Sequence, residues 1–280
     1  MKIIRSLPEM QALALGMKRK GLAVGFVPTM GYLHEGHLSL IRRAKAECDH
    51  VAVSIFVNPT QFAPTEDLSK YPRDLERDLR LIEPLGVDLV WTPTPEVMYP
   101  SGFQTWVEVE TLTKPLEGAL RPTHFRGVTT VVAKLFNAVQ PHKAYFGQKD
   151  AQQAAVIRQM TRDLNYPIEV VVCPIVREAD GLAMSSRNKY LEGADRQAAL
   201  VLSRALTAAK ELYDAGERDA EALRAKMKEV IAAEPRAQMQ YVSCADYDTL
   251  AELETVTGKT LLSMAVLIGK TRLIDNFVLG

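Results

Sequence analysis

The stretch from Val51 to Val57 (VAVSIFV) is β-branched and apolar at both parities, so as a strand it has to be covered on both faces. Strands of that kind belong to parallel sheets, in which each return to the sheet needs a crossover, usually a helix. The neighbouring sequence supplies one. Leu22 to Val27 (LAVGFV) reads as a buried strand ended by Pro28, and His37 to Cys48 (HLSLIRRAKAEC) carries Leu38, Ile41, Ala44 and Cys48 on a helical stripe. The pattern continues with a helix over Arg73 to Leu85 and a strand over Val87 to Trp91. From Val128 to Val139, the residues Val128, Val131, Val132, Leu135, Phe136 and Val139 share one helical face, with Pro141 just beyond the end. A short strand at Ala144 to Phe146, a helix at Ala151 to Leu164 and a strand at Ile168 to Cys173 follow. The fold class is therefore α/β: a doubly wound, Rossmann-like parallel sheet, whose ligands sit at the carboxyl ends of its strands.

From Asp195 onward the pattern changes. Helices are expected over Asp195 to Ala215 and Arg218 to Ala233, hinged near Gly216, and strands over Gln238 to Ala245, Leu261 to Ile268 and Leu273 to Phe277. That order reads as a smaller C-terminal α+β domain. With 280 residues, and about 150 residues per domain as a prior, two domains are expected, 1-175 and 176-280. The polar stretch Arg177 to Asn188 then falls at their seam.

Charge and cysteine content narrow the function classes. The 34 basic and 34 acidic side chains cancel, which argues against a broad nucleic-acid footprint but leaves room for a local cationic pocket. Cys48, Cys173 and Cys244 are far apart and form no CxxC or Cys/His cluster, so neither a zinc site nor a disulfide framework is expected, and a reducing cytoplasm fits. The first residues, MKIIRSLPEMQ, lack a long apolar core and meet an acid early, unlike a signal peptide. No apolar run approaches the roughly 18 residues of a membrane span.

Chemistry concentrates in Pro28 to His37 (PTMGYLHEGH), between an expected strand and an expected helix. It is neither a GxGxxG nor a Walker loop. It places His34 and His37 on one face of the helix opening, where backbone N–H groups and the positive helix end favour an anion. Gly31 and Gly36 let a planar base or a phosphate approach the backbone. Alone, an HxxH pair also describes a partial metal site or two surface histidines. The strand-loop-helix setting favours the catalytic reading.

In this setting HEGH resembles the HxGH signature of the nucleotidyltransferase superfamily, which includes the class I aminoacyl-tRNA synthetases. That superfamily also has a mobile, basic, serine-rich loop, a role that Met184 to Arg187 (MSSR) fits. Phe56 to Phe62 (FVNPTQF), Tyr71 to Asp74 (YPRD), Arg121 to Gly127 (RPTHFRG), Tyr145 to Asp150 (YFGQKD) and Thr271 to Asn276 (TRLIDN) resemble, in order, the motifs of the pantoate–β-alanine ligase family. The resemblance covers nearly the whole chain. It implies two steps: pantoate attacks the α-phosphate of ATP to give pantoyl-adenylate and pyrophosphate, and β-alanine then displaces AMP. Mg²⁺ accompanies the ATP, and a cytoplasmic homodimer built through the first domain is expected.

The resemblance also distributes roles. Met30, Gly31, Tyr32, Leu33, His34, Glu35, Gly36 and His37 form the ATP loop, with both imidazoles on phosphates and His37 as proton donor to the leaving group. Lys149 is a phosphate cation, Gly147 permits close approach of the ribose, Gln148 is among the ATP-binding residues, and Asp150 accepts from the ribose hydroxyls or caps the following helix. Val176 offers its backbone to adenine, and Met184, Ser185, Ser186 and Arg187 close over the phosphates, with Arg187 and Lys149 joining the histidines as catalytic groups. Gln61 and Gln153 bind pantoate, with Gln61 also facing β-alanine, because an amide both donates to a carboxylate and accepts from hydroxyls. Asn58 and Tyr71 line the pocket, and Arg121, His124 and Arg126 add positive potential. Asp74 and Asp78 are outer candidates for magnesium, although acids on such a helix are usually solvated, and the metal ligands stay open. Two alternatives remain: a nucleotidyltransferase of the same superfamily, for which Arg or Lys would be expected in place of the two glutamines, and a nucleotide-binding sensor, which needs neither His37 nor those glutamines.

Overall fold

The computed structural model describes residues 1–63, 66 and 68–280. In chain order the elements are β1 (Lys2–Ile4), α1 (Leu7–Arg19), β2 (Val24–Thr29), α2 (Glu35–Glu47), β3 (His50–Ile55), α3 (Leu75–Ile82), β4 (Leu89–Trp91) and α4 (Pro95–Met98). Next come α5 (Glu117–Leu120), α6 (His124–Val139), β5 (Lys143–Gly147), α7 (Ala151–Asp163) and β6 (Glu169–Cys173). The remainder is α8 (Gly193–Ala198), α9 (Val201–Asp214), α10 (Ala220–Ala232), β7 (Ala237–Asp246), β8 (Thr260–Ile268) and β9 (Thr271–Leu279). The chain packs as two compact units. Met1–Lys114, Gly118–Gly147 and Val156–Pro174 make the first; Pro115–Glu117, Gln148–Ala155 and Ile175–Gly280 make the second.

The first unit holds a six-stranded sheet in the order β1-β4-β3-β2-β5-β6, with every pair parallel. From β2 the chain winds outward through β3 to β4, then returns to the other side of β2 for β5 and β6. The winding direction therefore reverses between β2 and β5, and the crevice beyond their carboxyl ends is the switch point where such sheets bind ligands. Val27, Val53 and Val90 are buried on one face with Ile41 and Ile82, and the register partners Phe26, Ala52 and Leu89 are buried on the other, so the double-sided burial expected for these strands is present.

Three details differ from expectation, each for a local reason. Pro28 lies inside β2, opposite Ser54, instead of ending it. Val24 bonds His142 on the β5 side through both its N–H and its C=O, so alternation places the missing N–H of Pro28 on that same side. There the β2–β5 register covers only Gly25 and Phe26, so Pro28 interrupts no ladder bond. The expected long helix from Asp195 is broken into α8 and α9, where i→i−3 bonds from Leu200 to Gln197 and from Leu202 to Ala199 tighten the turn. Finally, β1 and α1 form within the first residues, where no element was expected. α1 had a legible start: Ser6 accepts from the N–H of Glu9, with Pro8 in the first turn.

In the second unit, the antiparallel sheet β7-β8-β9 packs against α9 and α10, with Leu262, Met264, Val266 and Ile268 of β8 in its core. Segment Pro115–Glu117 is tied to it by charge. Glu117, 6% exposed, receives both guanidinium nitrogens of Arg272 at 2.6 and 2.8 Å and the Tyr241 hydroxyl at 3.0 Å. Burial, then the Glu117 charge, pushes the Tyr241 phenol far above its ordinary range, so it stays a donor.

Within the first unit, α6 lies directly on the turn Pro59–Gln61. A Cβ on Gly127 would stand 2.5 Å from the carbonyl oxygen of Thr60 and 2.8 Å from the N–H nitrogen of Gln61, both backbone atoms. Gly127→Ala should therefore lower unfolding stability by about 2 kcal/mol or more, read as a reduced urea midpoint at unchanged slope.

Candidate active site

The loop from Met30 to His34 leaves the carboxyl end of β2 and opens α2. Its backbone is strained: Gly31 has φ +81° and Tyr32, not a glycine, has φ +50°. One carboxylate holds it there. Asp78 of α3, 1% exposed, accepts from the Tyr32 and Leu33 N–H groups at 2.7 Å each, with Arg77 at 3.3 Å. Burial pushes this carboxyl above the usual aspartate range, while the Leu33 and Tyr32 N–H groups and Arg77 pull it back. Asp78 is thus not a solvated acid, and its oxygens are committed to the loop. Asp74 caps α3 by accepting from Arg77 N–H at 3.0 Å. The sequence signal for Asp78 was its position on the inward stripe Leu75, Asp78 and Ile82, an acid where an apolar residue is normal.

His34 and His37 form a reciprocal cap. His34 Nδ1 accepts from Gly36 N–H at 3.2 Å, His37 Nδ1 accepts from His34 N–H at 3.3 Å, and the ring centroids are 4.2 Å apart. This corrects the expectation of free backbone donors at the helix mouth. The N–H groups of His34 and Gly36 go to the rings, and those of His37 and Leu38 go to the His34 carbonyl. With Nδ1 accepting on both rings, each neutral imidazole carries its proton on Nε2. In that form the donor of each ring is Nε2–H. Leu33 is fully buried, so only its backbone serves the loop, and Glu35 pairs with Arg42 along α2.

The turn Pro59–Gln61, following β3, brings Gln61 to the same loop: its Nε2 lies 2.9 Å from the sulfur of Met30. Asn58, 1% exposed, donates to Gln61 Oε1 and to the Gly127 carbonyl, and accepts from Thr60 and from the Tyr99 hydroxyl at 2.8 Å. Its amide thus supports Gln61 and ties it to α6. Tyr71 is buried edge-on against Phe62. The expected positive potential is largely committed to structure. Arg121 makes a bidentate pair with Glu66, Arg126 stacks on Trp106, and His124 Nδ1 contacts the Gln61 carbonyl at 2.9 Å. Burial works against the Glu66 charge, but Arg121, with the Ala63 N–H and His124, holds the carboxyl below its usual range.

Gly147 ends β5 in the first unit, and a Cβ there would meet no atom within 4 Å. The remaining candidates belong to the second unit. Gln148, Lys149 and Asp150 form a single 3-10 turn, with the Lys149 ammonium 3.7 Å from Asp150. Gln153 lies in the first turns of α7, beside the buried Gln152, which bonds the Glu117 N–H and the Pro115 carbonyl. The stretch Arg177 to Asn188 sits wholly inside this unit as a folded hairpin: Met184 N–H bonds the Val176 carbonyl, and Arg177 bridges to Ala183. Ser185 caps the following turn by accepting from Arg187 N–H at 3.2 Å, and Ser186 is buried. The structure thus gathers His34, His37, Met30 and Gln61 in one unit, and Lys149, Asp150, Gln153, Ser185, Ser186 and Arg187 in the other.

The first unit is thus a doubly wound α/β fold with paired imidazoles at the helix that opens from its switch-point loop. Residues 2–278 match the model of the pantoate-beta-alanine ligase family. The pantothenate synthetase of Roseiflexus castenholzii is 62% identical over 279 residues, covering 100% of this chain and 99% of that protein. The crystal structure of the Thermus thermophilus pantothenate synthetase superposes with a TM-score of 0.93 at 47% identity, covering 99% of each chain. That of the Francisella tularensis ligase, solved with β-γ ATP and β-alanine, does so with a TM-score of 0.81 at 36% identity, covering 99% of this chain and 97% of that one. The chain belongs to the pantoate–β-alanine ligase family, and it is a ligase.

Removing the Asp78 carboxylate strands two backbone donors of the strained loop. Asp78→Ala should lower unfolding stability by about 2–4 kcal/mol, and Asp78→Asn, which keeps one acceptor, by about half as much in the same urea titration.

Proposed function

We propose that this chain condenses pantoate with β-alanine at the expense of ATP, with pantoyl-adenylate as the intermediate. The observation that carries the first step is the imidazole pair, each ring held through Nδ1 so that its neutral form donates through Nε2–H, with the rings 4.2 Å apart. A carboxylate oxygen of pantoate attacks the α-phosphorus, and the bond to the bridging oxygen breaks. Charge then builds on pyrophosphate, where preorganised N–H donors act most strongly. Pyrophosphate leaves with the bonding pair, and the Nε2–H groups of His37 and His34 donate hydrogen bonds to the departing oxygen and to a neighbouring one, so His37 acts as a hydrogen-bond donor and not as the proton donor expected from the sequence. In the second step the neutral amine of β-alanine attacks the acyl carbon, AMP leaves with the bonding pair, and the nitrogen loses a proton. Gln61 and Gln153 hold pantoate through neutral amides, while Lys149, Ser185, Ser186 and Arg187 bring donors and positive charge to the phosphates. The ATP and β-alanine bound by the Francisella tularensis relative support the substrate assignment.

Magnesium is part of this reading as the counter-ion of ATP. Among the described residues no cluster of three or more His, Cys, Asp or Glu side chains could hold a metal, and Asp78 and Asp74 are used as caps. When bound with ATP, the ion would supply positive charge against the departing pyrophosphate. Among the described residues no helix is long and apolar enough to cross a membrane. A cytoplasmic homodimer completes the proposal on family grounds.

Incubating the protein with ATP, magnesium and pantoate, then adding β-alanine, should give pyrophosphate first, then AMP and pantothenate by mass. A nucleotidyl group kept on the acceptor would overturn the ligase reaction, and absence of pantoate-dependent ATP–pyrophosphate exchange would remove the adenylate. His37→Ala should slow single-turnover adenylate formation about a hundredfold or more while ATP still binds, in the range for a lost hydrogen-bond donor to developing charge. An unchanged rate would take His37 out of the mechanism.

A further inference from the structure

One hydrogen-bond cluster in the second unit is left over by the roles above. Asn276, near the end of β9, is 2% exposed. Its side-chain amide donates to the Gln148 carbonyl and to the Lys149 carbonyl, both at 3.0 Å, and its Oδ1 accepts from Gln148 Nε2 at 3.0 Å. Both amide protons are thereby used. The Tyr247 hydroxyl reaches Gln148 Oε1 at 3.0 Å. Asn276 is itself held: its backbone N–H donates to Asp275 at 2.8 Å, and Asp275, 2% exposed, is gripped by Arg177 at 2.7 and 2.8 Å. Arg177 also donates to the Gly181 carbonyl at 3.0 Å, within the hairpin that leads to Ser185 and Arg187.

The two carbonyls bound by Asn276 belong to the peptide groups on either side of the Lys149 Cα. Peptide groups are planar, so pinning both planes to one rigid amide fixes φ and ψ of Lys149, and with them the direction of its Cα–Cβ bond. A lysine ammonium on a flexible four-carbon stem has little orientation of its own. The backbone is where aim can be imposed, and a three-residue turn between a strand and a helix has few other means of holding it.

We propose that Asn276 is a positioning residue for Lys149, holding the base of that side chain so that its ammonium meets the phosphates of ATP. The inference rests on reading Lys149 as a phosphate cation. In the same way, Asp275 and Arg177 join this anchor to the serine-arginine hairpin, so one strand end serves both cationic elements.

A double-mutant cycle on single-turnover pyrophosphate release tests it. Lys149→Ala, Asn276→Ala and the double variant are compared as full-length proteins, at a temperature where urea titration shows each to be folded. Asn276→Ala is expected to slow release by about ten- to a hundredfold, the scale of a misplaced catalytic group. Added to Lys149→Ala, it should cost less than about threefold more. Asn276→Asp, which keeps the acceptor and removes the donor, should reproduce most of the single effect. Independent, multiplying losses would overturn the positioning role, as would a normal rate in Asn276→Ala. Loss of cooperative unfolding in both Asn276 variants would overturn it too, by making the residue one that folding requires. If instead Lys149→Ala alone leaves the rate intact, the underlying reading of Lys149 falls, and that outcome is distinct from the others.

Discussion

Burial of β2 on both faces, between β3 and β5, is the constraint on which the first unit is built. A strand enclosed in this way has its backbone committed to neighbours, so polar chemistry can appear only where it ends. Winding runs one way to β4 and the other way to β6, which leaves the loop after Thr29 with no crossover above it. The loop is strained at Gly31 and Tyr32, and Asp78 offsets that strain with two short hydrogen bonds in a buried setting.

The polar residues here act by holding other polar residues. Asp78 holds the loop, His34 and His37 cap the helix they open, and Asn58 holds Gln61. In the second unit Asn276 holds the turn bearing Lys149, and Arg177 with Asp275 ties down the base of the hairpin. Capping by imidazole has a chemical consequence. An Nδ1 that accepts from the backbone directs the proton of the neutral ring to Nε2, so a bond that looks structural selects the tautomer able to donate.

Much of this was legible from residue patterns. Apolar runs without alternation announced a parallel sheet, and the stripes of α2, α6 and α7 appear close to where periodicity put them. HEGH between a strand and a helix marked the candidate loop. Less was legible where a signal is short or where its partner is remote. β1 has only three residues and gains its place by pairing with β4 far along the chain. Asp78 looked like a helix-surface acid because its two partners precede it by more than forty residues. Arg121 and Arg126 looked like free cations until Glu66 and Trp106 were found beside them.

By itself, the sequence determined the class of sheet, the site of the paired histidines and the family to which the chain belongs, because each depends on residue type and local spacing. Tertiary structure decided which polar atoms are already bonded. It showed Asp78, expected as a solvated acid, to be a buried support, as Asn58 and Asn276 are, moved Pro28 inside a strand, and bent one expected helix into two. The physical reason is that a hydrogen bond depends on what stands within about 3 Å in space, and chain order does not state that distance.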